Sequence, residues 1–263
     1  MPKININGAN YYYELHGNGS TLILIAGYTC DCSGWQPVFE GLLPHFQLLI
    51  LDNRASGQTT DDGKAITAEM MAADVIALAD ALQLEKPHIV GSSMGGTIAQ
   101  CIAAEYPKKI GKVGIVTSAA KWRTALLKGL RSTLEMRIQN LSFDFIFDTQ
   151  SAWVYGEPFI NNKQEMAKIK QAILDNPYPQ SLDNQARQYK MIEQFDGRAE
   201  LQKIQAETLI VYGTQDIISL PYESEFMRKH ILNAKSVEFN CGHGVIHEKS
   251  KELGDVLTEF LLS

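Results

Sequence analysis

No apolar run in this 263-residue chain approaches the ~20 residues that a membrane-spanning helix requires. Runs such as Leu22 to Ala26 and Leu48 to Leu51 are strand-sized, so no membrane association is expected. The opening Met1-Pro2-Lys3-Ile4-Asn5-Ile6-Asn7-Gly8 lacks the apolar centre of a signal peptide, and the cytoplasm is the expected compartment. Excess positive charge is also missing. Twenty-four basic against 30 acidic residues leave a formal charge of −6, which gives no general attraction to phosphate backbones and excludes nucleic acid as the expected partner. Cysteine is sparse: Cys30, Cys32, Cys101 and Cys241 offer only one close pair, so neither a zinc site nor a disulfide framework is expected, and the thiols read as free. Internal repeats and low-complexity stretches are absent too.

What is present is ordinary globular composition, 45% hydrophobic and 21% charged, long enough for one large domain or one domain with an inserted lobe. The chain opens as a hairpin. Lys3 to Ile6 alternates, Asn7-Gly8 supplies the turn, and Asn10 to Leu15 resumes. Apolar strands then alternate with amphipathic helices. Strands are expected at Leu22–Ile25, Leu48–Leu51, His88–Val90, Val113–Thr117, Thr208–Tyr212 and Val237–Phe239. Helices are expected after Thr67 (Met71, Val75, Leu78 and Leu82 on one face), from Met94 to before Pro107, and at the C-terminus around Leu253, Val256, Leu257 and Phe260. This pattern means an α/β fold with a mostly parallel sheet covered on both faces.

The alternation breaks once. Residues 121–205 contain no convincing strand and read as helices around Leu126–Ile138, Glu165–Leu174 and Leu182–Ile192. We expect a helical cap at 121–205, over the C-terminal edge of a sheet built from 1–120 and 206–263, the edge where such folds bind ligands. Trp122 and Trp153 are its candidate substrate-contacting side chains. Lys121, Arg123, Lys128, Arg131 and Arg137 make its first helix basic, and at 100° per residue Lys121, Lys128 and Arg131 fall on one arc beside the apolar row Leu127, Leu130, Leu134 and Ile138. Such a face could receive an acidic carrier protein or a carboxylate-bearing substrate, or simply be solvated.

The strongest local signal is Gly91-Ser92-Ser93-Met94-Gly95. It is G-x-S-x-G, with an apolar strand leading in and a helix leading out. A serine on so sharp a turn presents its hydroxyl above the sheet, and the glycines two before and two after let strand and helix approach. Ser93 is therefore the candidate nucleophile, and a serine hydroxyl needs a base. His16 follows the opening hairpin, His45 sits between a helix and a strand, His88 begins its strand and His230 lies in a helix, so none of the four occupies a loop at the strands' C-terminal ends. His243 does, in Asn240-Cys241-Gly242-His243-Gly244, with His247 close behind. Flanking glycines free the loop of His243, and a structural or helix-entry role is expected for His247. Asp216, in Gly213-Thr214-Gln215-Asp216 after Thr208–Val211, leaves the same sheet edge and can orient the base. The alternative position after Val113–Thr117 is Ser118-Ala119-Ala120-Lys121 and holds no carboxylate. Backbone N–H groups of Tyr28 and Met94 are the candidate oxyanion donors.

Together these segments resemble the α/β-hydrolase superfamily over essentially the whole chain. They look most like small capped members such as pimeloyl-ACP methyl ester esterases, 3-oxoadipate enol-lactonases and meta-cleavage C–C hydrolases. The matching pieces are Ala26-Gly27-Tyr28, Asp52-Asn53-Arg54-Ala55-Ser56-Gly57, the turn at Ser93, Gly213-Thr214-Gln215-Asp216, and Gly242-His243 with Glu248 downstream. The resemblance favours His243 over His247 and the order Ser…Asp…His. Two departures stand out: Ala26-Gly27 where the family has His-Gly, and Arg54-Ala55-Ser56-Gly57 where it has Arg-Gly-x-Gly. A serine at position 93 excludes relatives that use an aspartate nucleophile. The resemblance implies hydrolysis of a small or medium carboxylic ester through an acyl-enzyme, without a metal or organic cofactor. A C–C hydrolase, a lactonase, a cofactor-free perhydrolase, or a non-catalytic receptor on the same scaffold are the alternatives.

Overall fold

The computed structural model describes residues 3–263. Strands β1 (Lys3–Ile6) and β2 (Ala9–His16) form the expected hairpin. Its turn works because Asn7 and Gly8 both take positive φ, 48° and 79°, as a two-residue turn with the right twist demands. Six strands follow: β3 (Ser20–Ile25), β4 (Phe46–Leu51), β5 (His88–Ser92), β6 (Val113–Val116), β7 (Thr208–Gly213) and β8 (Ala234–Phe239). The sheet order is β1-β2-β4-β3-β5-β6-β7-β8. From β4 to β8 every pairing is parallel, and the antiparallel hairpin lies at one edge.

Alternate residues of each central strand serve opposite faces. Ile23, Ile25 and Ile89 join the helices Ala68–Ala81 and Met94–Glu105 on one side. Leu22, Leu24 and Val90 join Trp35 and the closing helix Ser250–Leu262 on the other. Each such side chain, removed from water, stabilises the fold by about 1.5–3 kcal/mol, which is why β5, β6 and β7 read as unbroken apolar runs. Thr67 caps its helix as expected, accepting from the Met70 N–H at 3.1 Å.

Between β6 and β7 the chain forms only helices: Thr124–Ile138, Phe143–Val154, Glu157–Ile160, Lys163–Leu174 and Leu182–Gln194, then a 3₁₀ turn at Leu201–Lys203. A single bridge, Lys121 to Asp196, brings the two ends of this insertion together. Two details differ from the sequence expectation. Lys121 precedes the first helix and pairs with Asp196 at 2.9 Å, so it does not share an arc with Lys128 and Arg131. The inward face of that helix is Leu126, Thr133 and Leu134, whereas Ile138, its last residue, is 51% exposed. The helix Phe143–Val154 is absent from the sequence reading altogether. Among the described residues, no helix is long and apolar enough to cross a membrane.

Packing is very tight at the end of β5. A Cβ at Gly91 would stand 2.1 Å from the Gly95 carbonyl oxygen, and one at Gly95 would stand 2.1 Å from that of Ile25. Gly95→Ala is therefore expected to cost at least about 3 kcal/mol of stability. Gly34→Ala, whose Cβ meets nothing closer than Cys30 at 3.8 Å, should stay within about 0.5 kcal/mol of wild type. Urea midpoints of the two variants check the contrast.

Candidate active site

Ser93 stands between β5 and the helix Met94–Glu105 with φ 54° and ψ −118°, a backbone conformation that costs a non-glycine residue about 1–3 kcal/mol. Neighbouring hydrogen bonds hold it there. The Ser93 N–H donates to the Val116 carbonyl at 2.9 Å. The Ser118 hydroxyl donates to the Ser93 carbonyl at 2.8 Å. Gly96, a third small residue the sequence reading did not single out, is required because its Cβ would lie 2.5 Å from that of Ser118.

The loops after β7 and β8 deliver the other two side chains. His243 Nε2 lies 2.9 Å from Ser93 Oγ, and His243 Nδ1 lies 2.8 Å from Asp216 Oδ2. Asp216 is 1% exposed, a burial that a carboxylate tolerates only when its lone pairs are engaged. They are: Oδ1 accepts from the N–H groups of Ile218 (2.7 Å) and Ser219 (3.0 Å), and Oδ2 also accepts from the Ser219 hydroxyl (2.7 Å). Ser219 is thus a supporting residue that sequence reasoning missed. Of the remaining histidines, His16 pairs with Glu14, His88 accepts from the Lys112 N–H, and His230 bonds the Phe226 carbonyl, all away from Ser93.

Across from the histidine runs the loop Ala26-Gly27-Tyr28. A Cβ at Gly27 would come within 3.3 Å of Ser93 Cβ, so this loop passes directly over the serine. It is held from outside. Asn53 Nδ2 donates to the Ala26 carbonyl at 3.0 Å, and the buried Gln188 of the insertion accepts from the Thr29 N–H at 3.4 Å. Burial pushes the Tyr28 phenol up to about 12, and its hydroxyl donates to the Gln185 carbonyl at 3.4 Å. The Tyr28 side chain is therefore occupied with anchoring. Its backbone N–H and that of Met94, first in its helix and without an intrahelical partner, donate to no other backbone group in the surrounding turns and loops.

A cavity of about 270 Å³ opens above Ser93. The insertion roofs it, and both candidate tryptophans line it. Trp122 is 4% exposed and donates from Nε1 to Thr97 Oγ1 at 3.2 Å. Trp153 packs on Gly129, where a Cβ would lie 2.7 Å from Trp153 Cη2. His247, expected to be structural, also lines the cavity from the short helix Val245–Glu248, beside Tyr155 (ring centroids 6.3 Å apart). His247 and Cys30 keep exposed surface, and both belong to the lining of this cavity. Burial lowers the His247 pKa and raises the Cys30 thiol to about 11, so both stay neutral near pH 7.

One segment of the insertion, Val154–Glu157, is stitched to both loops that carry Asp216 and His243. The Glu248 carboxylate accepts from the Gly242 N–H (3.0 Å) and the Gly156 N–H (3.1 Å). Gln215 Oε1 accepts from the Glu157 N–H at 3.0 Å. The Gly244 N–H donates to the Val154 carbonyl at 2.8 Å. The positions of Gln215 and Glu248 beside Asp216 and His243 in the sequence were the available signal, but nothing in it showed what they bind. Of the five basic residues in 121–137, three are engaged: Lys121 with Asp196, Arg123 with the Ile217 carbonyl and Glu223, and Arg137 with Gln185 and the Gln180 carbonyl. Lys128 and Arg131 remain exposed. Among the described residues, no group of three His, Cys, Asp or Glu side chains is placed to hold a metal ion.

A family model described as alpha/beta hydrolase fold matches residues 16–250. A protein of Azorhizobium caulinodans provisionally named a carbamate hydrolase is 26% identical over 268 residues, covering 100% of this chain and 97% of its own length. A pimeloyl-[acyl-carrier protein] methyl ester esterase of Nitrosomonas europaea is 26% identical over 246 residues, 89% of this chain and 93% of its own. Among solved structures, the enol-lactonase from Burkholderia xenovorans LB400 superposes with a TM-score of 0.88 at 22% identity, over 100% of both chains. That last likeness is one of fold.

Removing the Glu248 carboxylate orphans two backbone donors, so Glu248→Ala is expected to lose about 2 kcal/mol or more. Burial, the largest influence on Glu248, raises its pKa. The folded chain then keeps a proton that the unfolded chain has lost, and this group's contribution falls as pH rises from the ordinary carboxylate range through the raised value. Glu248→Gln should flatten that part of the stability curve. Denaturation midpoints across acid to neutral pH check both statements.

Proposed function

Since the chain belongs to the alpha/beta hydrolase fold family, we propose that it is a serine hydrolase that cleaves a small or medium carboxylic ester through an acyl-enzyme on Ser93. What supports this most directly is the unbroken chain of contacts from Ser93 Oγ through His243 to Asp216. In the reaction, the Ser93 hydroxyl gives its proton to His243 Nε2 as Oγ attacks the ester carbonyl carbon. Asp216 accepts the Nδ1–H, which fixes the useful tautomer and stabilises the imidazolium. The tetrahedral oxyanion lies between the N–H groups of Tyr28 and Met94. The carbon–oxygen bond to the leaving group breaks, and the alkoxide takes the proton from Nε2. Water then repeats the sequence on the acyl-enzyme, releasing the acid and restoring Ser93.

Esters, carbamates and lactones share this carbonyl attack with a heteroatom leaving group, and proteins named for each resemble this chain. The residues 121–205 act as the cap, with Trp122 and Trp153 against the substrate. A C–C hydrolase would have to stabilise a carbon leaving group, a task for which the contacts around Ser93 give no specific support. A silent receptor would not need Ser93 and His243 in hydrogen-bonding register. The substrate we favour is a free small molecule rather than one carried on an acyl carrier protein. Lys121, Arg123 and Arg137 are already bound within the chain, which leaves little of the basic face to dock an acidic partner.

A fluorophosphonate probe is expected to label wild type and not Ser93→Ala, and Ser93→Ala should lose on the order of 10⁶ in kcat with its fold intact. Asp216→Asn should cost about 10⁴ in kcat at nearly unchanged KM, because an amide favours the wrong imidazole tautomer. His243→Gln should abolish turnover. His247→Gln, which alters only the cavity wall, should act on KM and stay within about tenfold. Steady-state kinetics with p-nitrophenyl esters of graded chain length test all four, and near-normal turnover by Ser93→Ala would sink the proposal.

A further inference from the structure

Among the described residues, none of the side chains lining the cavity is Asp, Glu, Lys or Arg. Its polar members are Thr29, Cys30, Thr133, Gln150, Ser151 and His247, apart from Ser92, Ser93, His243 and the tyrosines. Of the titratable lining side chains other than His243, burial lowers the pKa of His247 and raises those of Cys30, Tyr28 and Tyr155, each toward the uncharged form.

The cations behind the wall are committed elsewhere. Arg137, behind Tyr28, binds Gln185 and the Gln180 carbonyl. Arg123 binds the Ile217 carbonyl and Glu223. Lys170 stands 5.7 Å from the centre of the Phe147 ring and is paired with Asp144 at 2.9 Å. On the histidine side the nearby groups are the carboxylates Asp216 and Glu248, with Lys249 outside them paired to Glu252 at 3.5 Å. An anion inside the cavity would thus lose its water, find no cation to replace it, and face negative charge on one side.

We infer that the substrate bears no negative charge in the part that enters the cavity, so that neither its acyl chain nor its leaving group carries an ionised carboxylate or phosphate there. This deepens the hydrolase reading and rests on it for the word substrate, although the binding preference belongs to the cavity itself. It separates this chain from any relative whose ester or lactone bears a free acid close to the scissile bond.

Dimethyl glutarate and monomethyl glutarate test it. They differ by one methyl group and one charge, and the short diacid keeps that charge near Ser93. All three tryptophans of the protein, Trp35, Trp122 and Trp153, line the cavity, so intrinsic fluorescence reports its occupancy. With Ser93→Ala, above the titration of the free acid, the diester is expected to bind at least about tenfold more tightly than the monoester anion. Equal titration by both, or no quenching by the diester, overturns the inference. With wild type, kcat/KM normalised to hydroxide-catalysed rates should favour the diester by about a hundredfold, and a ratio of about ten or less overturns it. Should wild type turn over neither ester and resist fluorophosphonate, the hydrolase reading falls, while the fluorescence titration still decides the cavity's preference.

Discussion

Three stretches of backbone meet where β5 turns into the helix Met94–Glu105, and they meet with no side chain between them. Gly95 touches the Ile25 carbonyl of β3, Gly91 touches Gly95 across the turn, and Gly27 lies over Ser93. Because β3 and β5 are neighbours in the sheet, with Ile25 opposite Gly91, this approach fixes how far the loop at Tyr28 stands from the serine hydroxyl. It also forces Ser93 into positive φ and aims the first N–H groups of the helix at the same space. The strain of about 1–3 kcal/mol is local. Hydrogen bonds from the Ser93 N–H to Val116, and from Ser118 and the Gly96 and Thr97 N–H groups to the Ser93 carbonyl, help to offset it.

Features that depend on backbone spacing were the ones legible in the sequence. The alternating faces of the strands, the Asn7-Gly8 turn, the Thr67 cap and the glycines around Ser93 each follow from a local rule, and the structure places Ser93, His243 and Asp216 within hydrogen-bonding distance in sequence. The helix Phe143–Val154 was hidden because Phe143, Phe145 and Phe147 recur every second residue, a strand-like spacing; Ser142 caps it, and Ile146, Phe147 and Ser151 form its buried face instead. Gln185 and Gln188 were illegible for a different reason. Long amides read as a solvated helix face, yet both are fully buried. Gln188 Nε2 donates to the Arg54 carbonyl (2.9 Å) and to Ser56 Oγ (3.0 Å), partners supplied by a loop far away in the chain.

The motif around Arg54 takes its meaning from the same network. Arg54 pairs with buried Asp74, which also accepts from Tyr11 and Asn7, so one carboxylate ties the opening hairpin to the helix Ala68–Ala81. Asp61 then receives Arg187 at 2.6 Å, and with Gln188 this seats the helix Leu182–Gln194 on the core. On the far side of the cavity Val154–Glu157 is bound to Gln215, Gly244 and Glu248. The insertion is therefore held along two lines, one beside the Tyr28 loop and one beside His243. Between them the helices Glu157–Ile160 and Lys163–Leu174 bury none of their residues, which makes them the least supported part of the roof.

The charges that the proposed reaction creates have opposite signs and appear at opposite ends of the site. The imidazolium forms beside Asp216, whose field reaches both Glu223 and Glu248, so three carboxylates lie on that side. The oxyanion forms at the first turn of the helix Met94–Glu105, where unpaired N–H groups carry the positive end of the helix dipole. An uncharged, largely apolar wall separates the two. In such surroundings Coulomb interactions are several-fold stronger than in water, so each nascent charge is stabilised chiefly by the group built to receive it. A fixed cation in the wall would weaken that arrangement, since its field would oppose the imidazolium in the same step that it attracted the oxyanion. On the proposed reading, the lack of charged side chains among the described lining residues, which disfavours an anionic substrate, is also the condition under which a neutral one is polarised from both ends.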